Sequence, residues 1–327
     1  MKAPFPWFGG KSTVAPEVWD AFGDVRNYVE PFFGSGAVLL FRPQPFAGSE
    51  SVNDKDGFLA NFWRAIQADP ETTAQFADWP VNENDLHARH IWLVHQRETL
   101  TAKIEGDPDF FDPKIAGWWV WGICSWIGSG WCSGNGPWHV EDGKLFDVRQ
   151  LPHLGDAGNG VNRKLPHLGD AGKGQAILTT FSELSERLRN VRVCCGDWTR
   201  VMGDSVTIKH GITGVFLDPP YSDTADRQED LYRVDSLTVA HDVWAWAIAN
   251  GDNPLLRIAL CGYQGEHELP EGWTCLEWKA RGGYGSQGKT RGRENASKER
   301  IWFSPHCLKP SVDASHQLLF NQDDLAC

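Results

Sequence analysis

The chain predicts an alternating α/β fold, and three stretches carry that expectation. Tyr28 to Leu39 reads as a strand, a turn holding Gly34 and Gly36, and the start of an apolar helix. Ser51-Val52-Asn53-Asp54 reads as the end of a second strand, after which Phe58, Leu59, Phe62, Trp63 and Ile66 recur at helical spacing. Val215-Phe216-Leu217 is a short apolar run closed by Asp218-Pro219-Pro220-Tyr221, the pattern of a buried strand stopped by proline.

At the N-terminus, Gly10-Lys11-Ser12 looks like the close of a phosphate-binding loop. Such a loop needs a glycine where Phe5 stands and an apolar strand before it, which the short lead cannot supply. In the turn after Glu30, Gly34 and Gly36 let the backbone pass close to a ligand, but Leu39 replaces the third glycine of the dinucleotide fingerprint, so nicotinamide binding is disfavoured. Glu30 can reach the amino-acid end of a ligand. Asp54, about twenty residues after the turn, can take both hydroxyls of a ribose.

Later strands are expected at Val191 to Cys194, at Ile258 to Cys261, and at Trp273 to Trp278 with Arg300 to Phe303, the last two as an antiparallel hairpin around the glycine-rich 282–292. Asp218-Pro219-Pro220-Tyr221 carries the chemistry. A conjugated amine is a poor nucleophile until acceptors draw its lone pair out of the ring. The Asp218 carboxylate and the Pro219 carbonyl are such acceptors, Pro220 leaves a second carbonyl that no flanking N–H can close off, and Tyr221 can stack on a planar base.

Taken in order, Trp7-Phe8-Gly9-Gly10-Lys11, Glu30-Pro31-Phe32-Phe33-Gly34-Ser35-Gly36, Asn53-Asp54 and Asp218 to Tyr221 resemble the Dam-type (D12 class) DNA adenine-N6 methyltransferases. The resemblance covers roughly 1–68 and 188–305 and is looser between them. It implies a Rossmann-like class I methyltransferase sheet with an inserted helical and loop-rich target-recognition domain. It also implies S-adenosylmethionine as methyl donor, with Trp7, Lys11, Glu30, Phe32, Gly34 and Gly36 around its methionine part, Asp54 on its ribose, and Asp218, Pro219, Pro220 and Tyr221 on the target adenine. Cys195-Gly196-Asp197 looks like the family's segment beside the cofactor's adenine, where Asp197 would accept from the amine.

The expected domains are therefore a discontinuous catalytic domain at 1–68 and 188–305, an insertion at 69–187, and a polar tail at 306–327. In the insertion, Leu86, Ile91, Leu93, Val94 and Leu100 among charges read as helical, and six tryptophans fall between 118 and 138. Trp118 to Trp126 are expected to pack a small core, because aromatic side chains dominate burial. Trp131 and Trp138 lie among glycines and serines and are candidates for stacking on bases or filling the gap left by a flipped nucleotide. Leu151 to Gly158 then repeats as Leu165 to Gly172, at a spacing of fourteen. His153, His167, Asp156 and Asp170 do not make a metal site on spacing alone, since a Gly/Pro-rich loop fixes no ligand geometry. A DNA-contacting pair of loops is expected instead, with Arg163 and Lys164 near phosphates or base edges.

The net charge of -12 is unusual for a protein that meets phosphates, so local charge must serve. The basic stretch 279–300, with Arg281, Arg291 and Arg293, is the candidate. Eight cysteines include the adjacent pair Cys194-Cys195 and show no C-x-x-C spacing, which favours reduced thiols and no metal. No stretch is apolar enough to span a bilayer and no signal sequence opens the chain, so a cytoplasmic enzyme of a bacterial or phage-infected cell is expected, acting on double-stranded DNA as a monomer or weak dimer. Two alternatives stand beside this. One is a methyltransferase of the same fold acting on RNA or another planar amine or amide. The other is a DNA-binding module without activity.

Overall fold

The computed structural model describes residues 1–7, 10–126, 131–132, 138–141, 144–147, 175–220, 239–265, 270–278 and 299–308, with the backbone alone given for 138–141 and 144–147. Tyr221, Arg163, Lys164, Arg281, Arg291, Arg293, the duplicated loop, most of the tail and the side chain of Trp138 lie outside these described residues.

The chain runs α1 (Ala15–Phe22), β1 (Asn27–Glu30), α2 (Ala37–Phe41), β2 (Ser49–Asp54), α3 (Gly57–Ala68), α4 (Pro70–Ala77), α5 (Glu83–Gly106), α6 (Pro113–Ser125), β3 (Trp138–Glu141), β4 (Lys144–Asp147) and α7 (Gln175–Leu188). It continues through β5 (Val191–Cys195), β6 (Thr213–Leu217), α8 (Val239–Asn250), β7 (Leu256–Tyr263), β8 (Thr274–Glu277) and β9 (Glu299–Phe303). Seven strands form one sheet in the order β5-β2-β1-β6-β7-β9-β8. β9 runs antiparallel to both neighbours, and the remaining pairs are parallel. This is the Rossmann-like sheet the sequence predicts, with the expected antiparallel β8–β9 pair at its edge.

Side chains of the central strands alternate between two buried layers, as a period of two requires. Tyr28, Val52, Phe216, Ala259, Cys261 and Ile301 enter one apolar cluster. Val29, Val215, Leu217, Ile258, Leu260 and Trp302 enter the other. Helices α3 to α6 begin where short acceptors meet their free amides: Asp56 accepts from Phe58 and Leu59 at α3, Asp69 from Thr72 at α4, Asn82 from Asp85 at α5, and Asp112 from Ile115 at α6.

The helices between β2 and β5 do not build a core of their own. Trp119, Ile123, Phe181, Leu184 and Leu188 join the same cluster as Phe5, Phe58, Phe62 and Trp63. Phe5 lies 5.1 Å from Trp119 and 5.3 Å from Phe62, both edge to face, a favoured geometry for aromatic pairs. Arg89 threads this layer with its guanidinium 4.2 Å from the Trp121 ring centroid and 4.9 Å from that of Trp118.

Trp131 departs from its expected role. It is buried, its indole nitrogen donates to the Trp119 carbonyl at 3.0 Å, and it packs against Trp126 and His90. The cause is Gly122, where an added Cβ would sit 1.7 Å from the Trp131 ring. A glycine in the helix opens the slot that the tryptophan fills, so this ring is core and is closed to a base. His90 stacks on Trp126 at 4.9 Å and takes the Cys132 amide on Nδ1. Burial, followed by the nearby His87 and Arg97, pulls its imidazole down to about 4, which keeps it neutral inside this layer.

Candidate active site

β1 leads through α2 to β2 on one side of the sheet, while β6 lies on its other flank. A strand order that reverses in this way opens a crevice at the carboxyl ends of the central strands. Glu30, Asp54 and Cys195 are the last residues of β1, β2 and β5, and Asp218 follows β6 directly. Four segments far apart in sequence thus deliver their polar residues to one edge.

The turn after β1 is built for close approach. Gly34 and Gly36 have φ of 49° and 67°, in the left-handed region that a side chain rarely tolerates. A Cβ on Gly34 would lie 2.7 Å from the Trp7 indole nitrogen. The Gly34 amide donates to Asp54 Oδ2 at 3.1 Å, and the Asp56 amide donates to Oδ1 at 2.9 Å. Asn53 ties three strand ends together by donating to the Pro31 carbonyl at 3.2 Å and the Gly196 carbonyl at 3.0 Å. Phe32 stacks on Trp198 with centroids 6.3 Å apart. Asp197 is exposed and caps the turn after β5 through Thr199, whose hydroxyl and amide hold its carboxyl below the usual range.

Glu30 is buried and accepts the Tyr28 hydroxyl at 2.8 Å. Burial pushes its carboxyl well above the ordinary range. Tyr28 and the Leu39 amide pull it back, and Asp218 and Asp54 raise it further. Among the described residues no lysine or arginine pairs with it.

Asp218 is held differently. Lys11 Nζ lies 2.9 Å from Asp218 Oδ1 and 3.8 Å from Glu299 Oε2, with Lys11 and Glu299 both buried and Asp218 20% exposed at its side chain. Cys261, on β7, is close enough to Asp218 to favour its ionised form. Burial raises the Asp218 carboxyl, and Lys11 and then Cys261 counter this. Lys11 also stands 5.5 Å from the centroid of the Trp278 ring. Lys11 is thus ion-paired to Asp218, with Glu299 as its second carboxylate. Glu299 and Cys261 were not distinguishable in sequence, since each reads as an ordinary strand residue.

The acids Glu30, Asp54 and Asp218 come together at the ends of β1, β2 and β6, and Lys11 pairs with Asp218 and Glu299. Such a balance suits a ligand that brings positive charge, and the paired acceptors at Asp218 and Pro219 suit an N–H donor. Pro219 is buried and Pro220 half-buried. Among the described residues no group of three or more His, Cys, Asp or Glu is placed to hold a metal, and no helix is long and apolar enough to cross a membrane.

Residues 7–104 match the family model of the D12 class N6 adenine-specific DNA methyltransferase. The matched segment includes the Trp7 and Lys11 entry, the Gly34 turn and Asp54, and it ends within α5. No curated protein matches the chain.

Proposed function

We propose that this chain is an adenine-specific DNA methyltransferase of the D12 class, and that it moves the methyl group of S-adenosylmethionine onto the exocyclic amine of an adenine turned out of the duplex. The observation that carries the reading is the meeting of Asp218 and Pro219 with Glu30, Asp54 and the Gly34 turn at one edge of the sheet. S-adenosylmethionine, when bound, supplies an electrophilic methyl on a positively charged sulfur.

The chain's residues suit that ligand. Glu30, buried and without a described cation, suits an ammonium group. Asp54 ends β2 at the crevice and is oriented there by two backbone amides, which suits its carboxylate to the hydroxyls of a ribose. The Gly34 backbone is packed against the Trp7 indole, which leaves no room for a side chain at this turn. Phe32 and Asp197 stand at the β5 side of the crevice, where the adenine end of the donor would lie.

Asp218 and the Pro219 carbonyl accept the two N–H bonds of the target amine and draw its lone pair out of conjugation. Turning the base out costs a few kcal/mol, which stacking and hydrogen bonding in the pocket offset. Proximity and polarisation of the amine then carry the rate. Tyr221 is proposed to stack on the base. Contacts to DNA are assigned to Trp138, Arg163, Lys164, Arg281, Arg291 and Arg293. The flanks of the last segment, Glu277 and Glu299, lie by the carboxyl end of β7, which supports that assignment.

Sequencing DNA from cells that express the chain, with a readout for modified adenine, tests this reading. N6-methyladenine confined to one short sequence is expected. DNA whose adenines stay unmodified, with the chain soluble and folded, would contradict it.

A further inference from the structure

Lys11 is shared between the buried Glu299 and the partly buried Asp218, which come from the two strands on either side of β7. Asp218 Oδ1 holds its ammonium at 2.9 Å and Glu299 Oε2 at 3.8 Å. Glu299 opens β9 and stands opposite Tyr263 of β7, while Asp218 closes β6, which also pairs with β7. Cys261, two residues before Tyr263, feels Asp218, Lys11 and Glu299 together, so all four groups face one small volume. The Trp278 ring lies beside Lys11, and its buried indole nitrogen has no hydrogen-bond partner among the described residues.

This arrangement has a consequence for the acceptor role of Asp218. A lysine fully committed to Asp218 would compete with any amine that must donate to the same carboxylate. A lysine withdrawn altogether would leave Asp218 buried beside Glu30 and Glu299 and drive it toward its neutral form, which accepts poorly. The useful state lies between these limits, with Lys11 close enough to keep Asp218 ionised and held from behind by a second anion.

We propose that Glu299 is a positioning residue for methyl transfer: it shares Lys11 with Asp218 and thereby sets how much of the Asp218 carboxylate is open to the target amine. This rests on the adenine-methylation reading above. Glu299 touches no substrate in this proposal and acts through Lys11. The neutral Glu299→Gln keeps the shape of the side chain but shifts Lys11 toward Asp218. Glu299→Asp keeps the charge and is the rescue variant.

The test is steady-state methylation of DNA by parent, Glu299→Gln and Glu299→Asp, with the pH profile of kcat and the affinity for S-adenosylmethionine measured on each. Glu299→Gln should lower kcat about ten- to a hundredfold, as misplacement of a reacting group does. It should leave S-adenosylmethionine affinity within about twofold, and move the acid limb of the profile to lower pH, because Lys11 then favours ionised Asp218 more strongly. Glu299→Asp should recover much of the rate. A Glu299→Gln variant with parental kcat and pH profile would overturn the proposal, as would a folded Glu299→Gln whose lost rate Glu299→Asp does not recover. If Glu299→Gln does not fold, unfolding of Lys11→Met and Lys11→Met/Glu299→Gln decides: coupling predicts that the second change restores stability lost in the first, and independent effects refute it. A parent chain that methylates no adenine would instead overturn the functional reading on which this one stands.

Discussion

Gly34→Ala tests whether the turn after β1 is shaped as described, because the structure sets two separate costs there. The residue has φ of 49°, and an L-residue in that region is disfavoured by about 1–2 kcal/mol. The new Cβ would also lie 2.7 Å from the Trp7 indole nitrogen and 2.8 Å from its Cδ1. Forcing a methyl into such a contact typically costs about 1–3 kcal/mol. The sum is about 2–5 kcal/mol of stability. Denaturant unfolding followed by tryptophan fluorescence measures it directly. Trp7→Ala/Gly34→Ala removes the clash and leaves the dihedral cost, so the glycine change should be cheaper in that background by roughly the overpacking share. S-adenosylmethionine affinity should fall in the single variant, since the Gly34 amide no longer reaches Asp54 in the same geometry. If Gly34→Ala unfolds at the parental midpoint and binds with parental affinity, the close approach of Trp7 to this turn is wrong.

Asp54→Ala should weaken S-adenosylmethionine by about 1–3 kcal/mol through lost charged hydrogen bonds, read by calorimetry; unchanged affinity would remove Asp54 from the ribose. Glu30, raised by burial, holds a proton in the folded protein that the unfolded chain has already released. Its contribution therefore makes the empty protein less stable as pH rises from the ordinary carboxyl range to the raised folded value. A cationic ligand favours the ionised form, so S-adenosylmethionine affinity should climb with pH across that same window and level off above it. Glu30→Gln should flatten the climb, and a flat profile in the parent would count against Glu30 as the ammonium site. Trp131→Ala should lose about 3–5 kcal/mol of stability as a core truncation, read by unfolding midpoint, while a purely DNA-affinity defect would restore the ring to a recognition role.

The strands were legible because each is a short apolar run ended by glycine, proline or a carboxylate: Val215 to Leu217 before Asp218, and Val191 to Cys195 before Gly196. Their order across the sheet was not legible from the residues, since pairing of β1 with β6 joins segments with most of the chain between them. The family resemblance implied the class of sheet and not the order of its strands. The site was legible where the chemistry sits in a motif, at Glu30, Asp54 and Asp218. It was hidden where a partner comes from a plain strand: Glu299 and Cys261 gain their meaning only from Lys11 and Asp218 across the crevice. Trp131 misled for a related reason, because glycines near it suggested exposure and one of them, Gly122, instead receives its ring.

The central claim is that Asp218 acts on the amine and not on the methyl donor, and a paired measurement on Asp218→Ala tests it most directly. S-adenosylmethionine binding by calorimetry and methyl transfer to DNA are measured on parent and variant in the same buffer. Binding within a few-fold of the parent, with transfer abolished, is the predicted result, since Asp218 supplies polarisation that operates only on the target amine. An Asp218→Ala variant that turns over at near-parental rate, or one that loses donor binding along with transfer, would contradict the account.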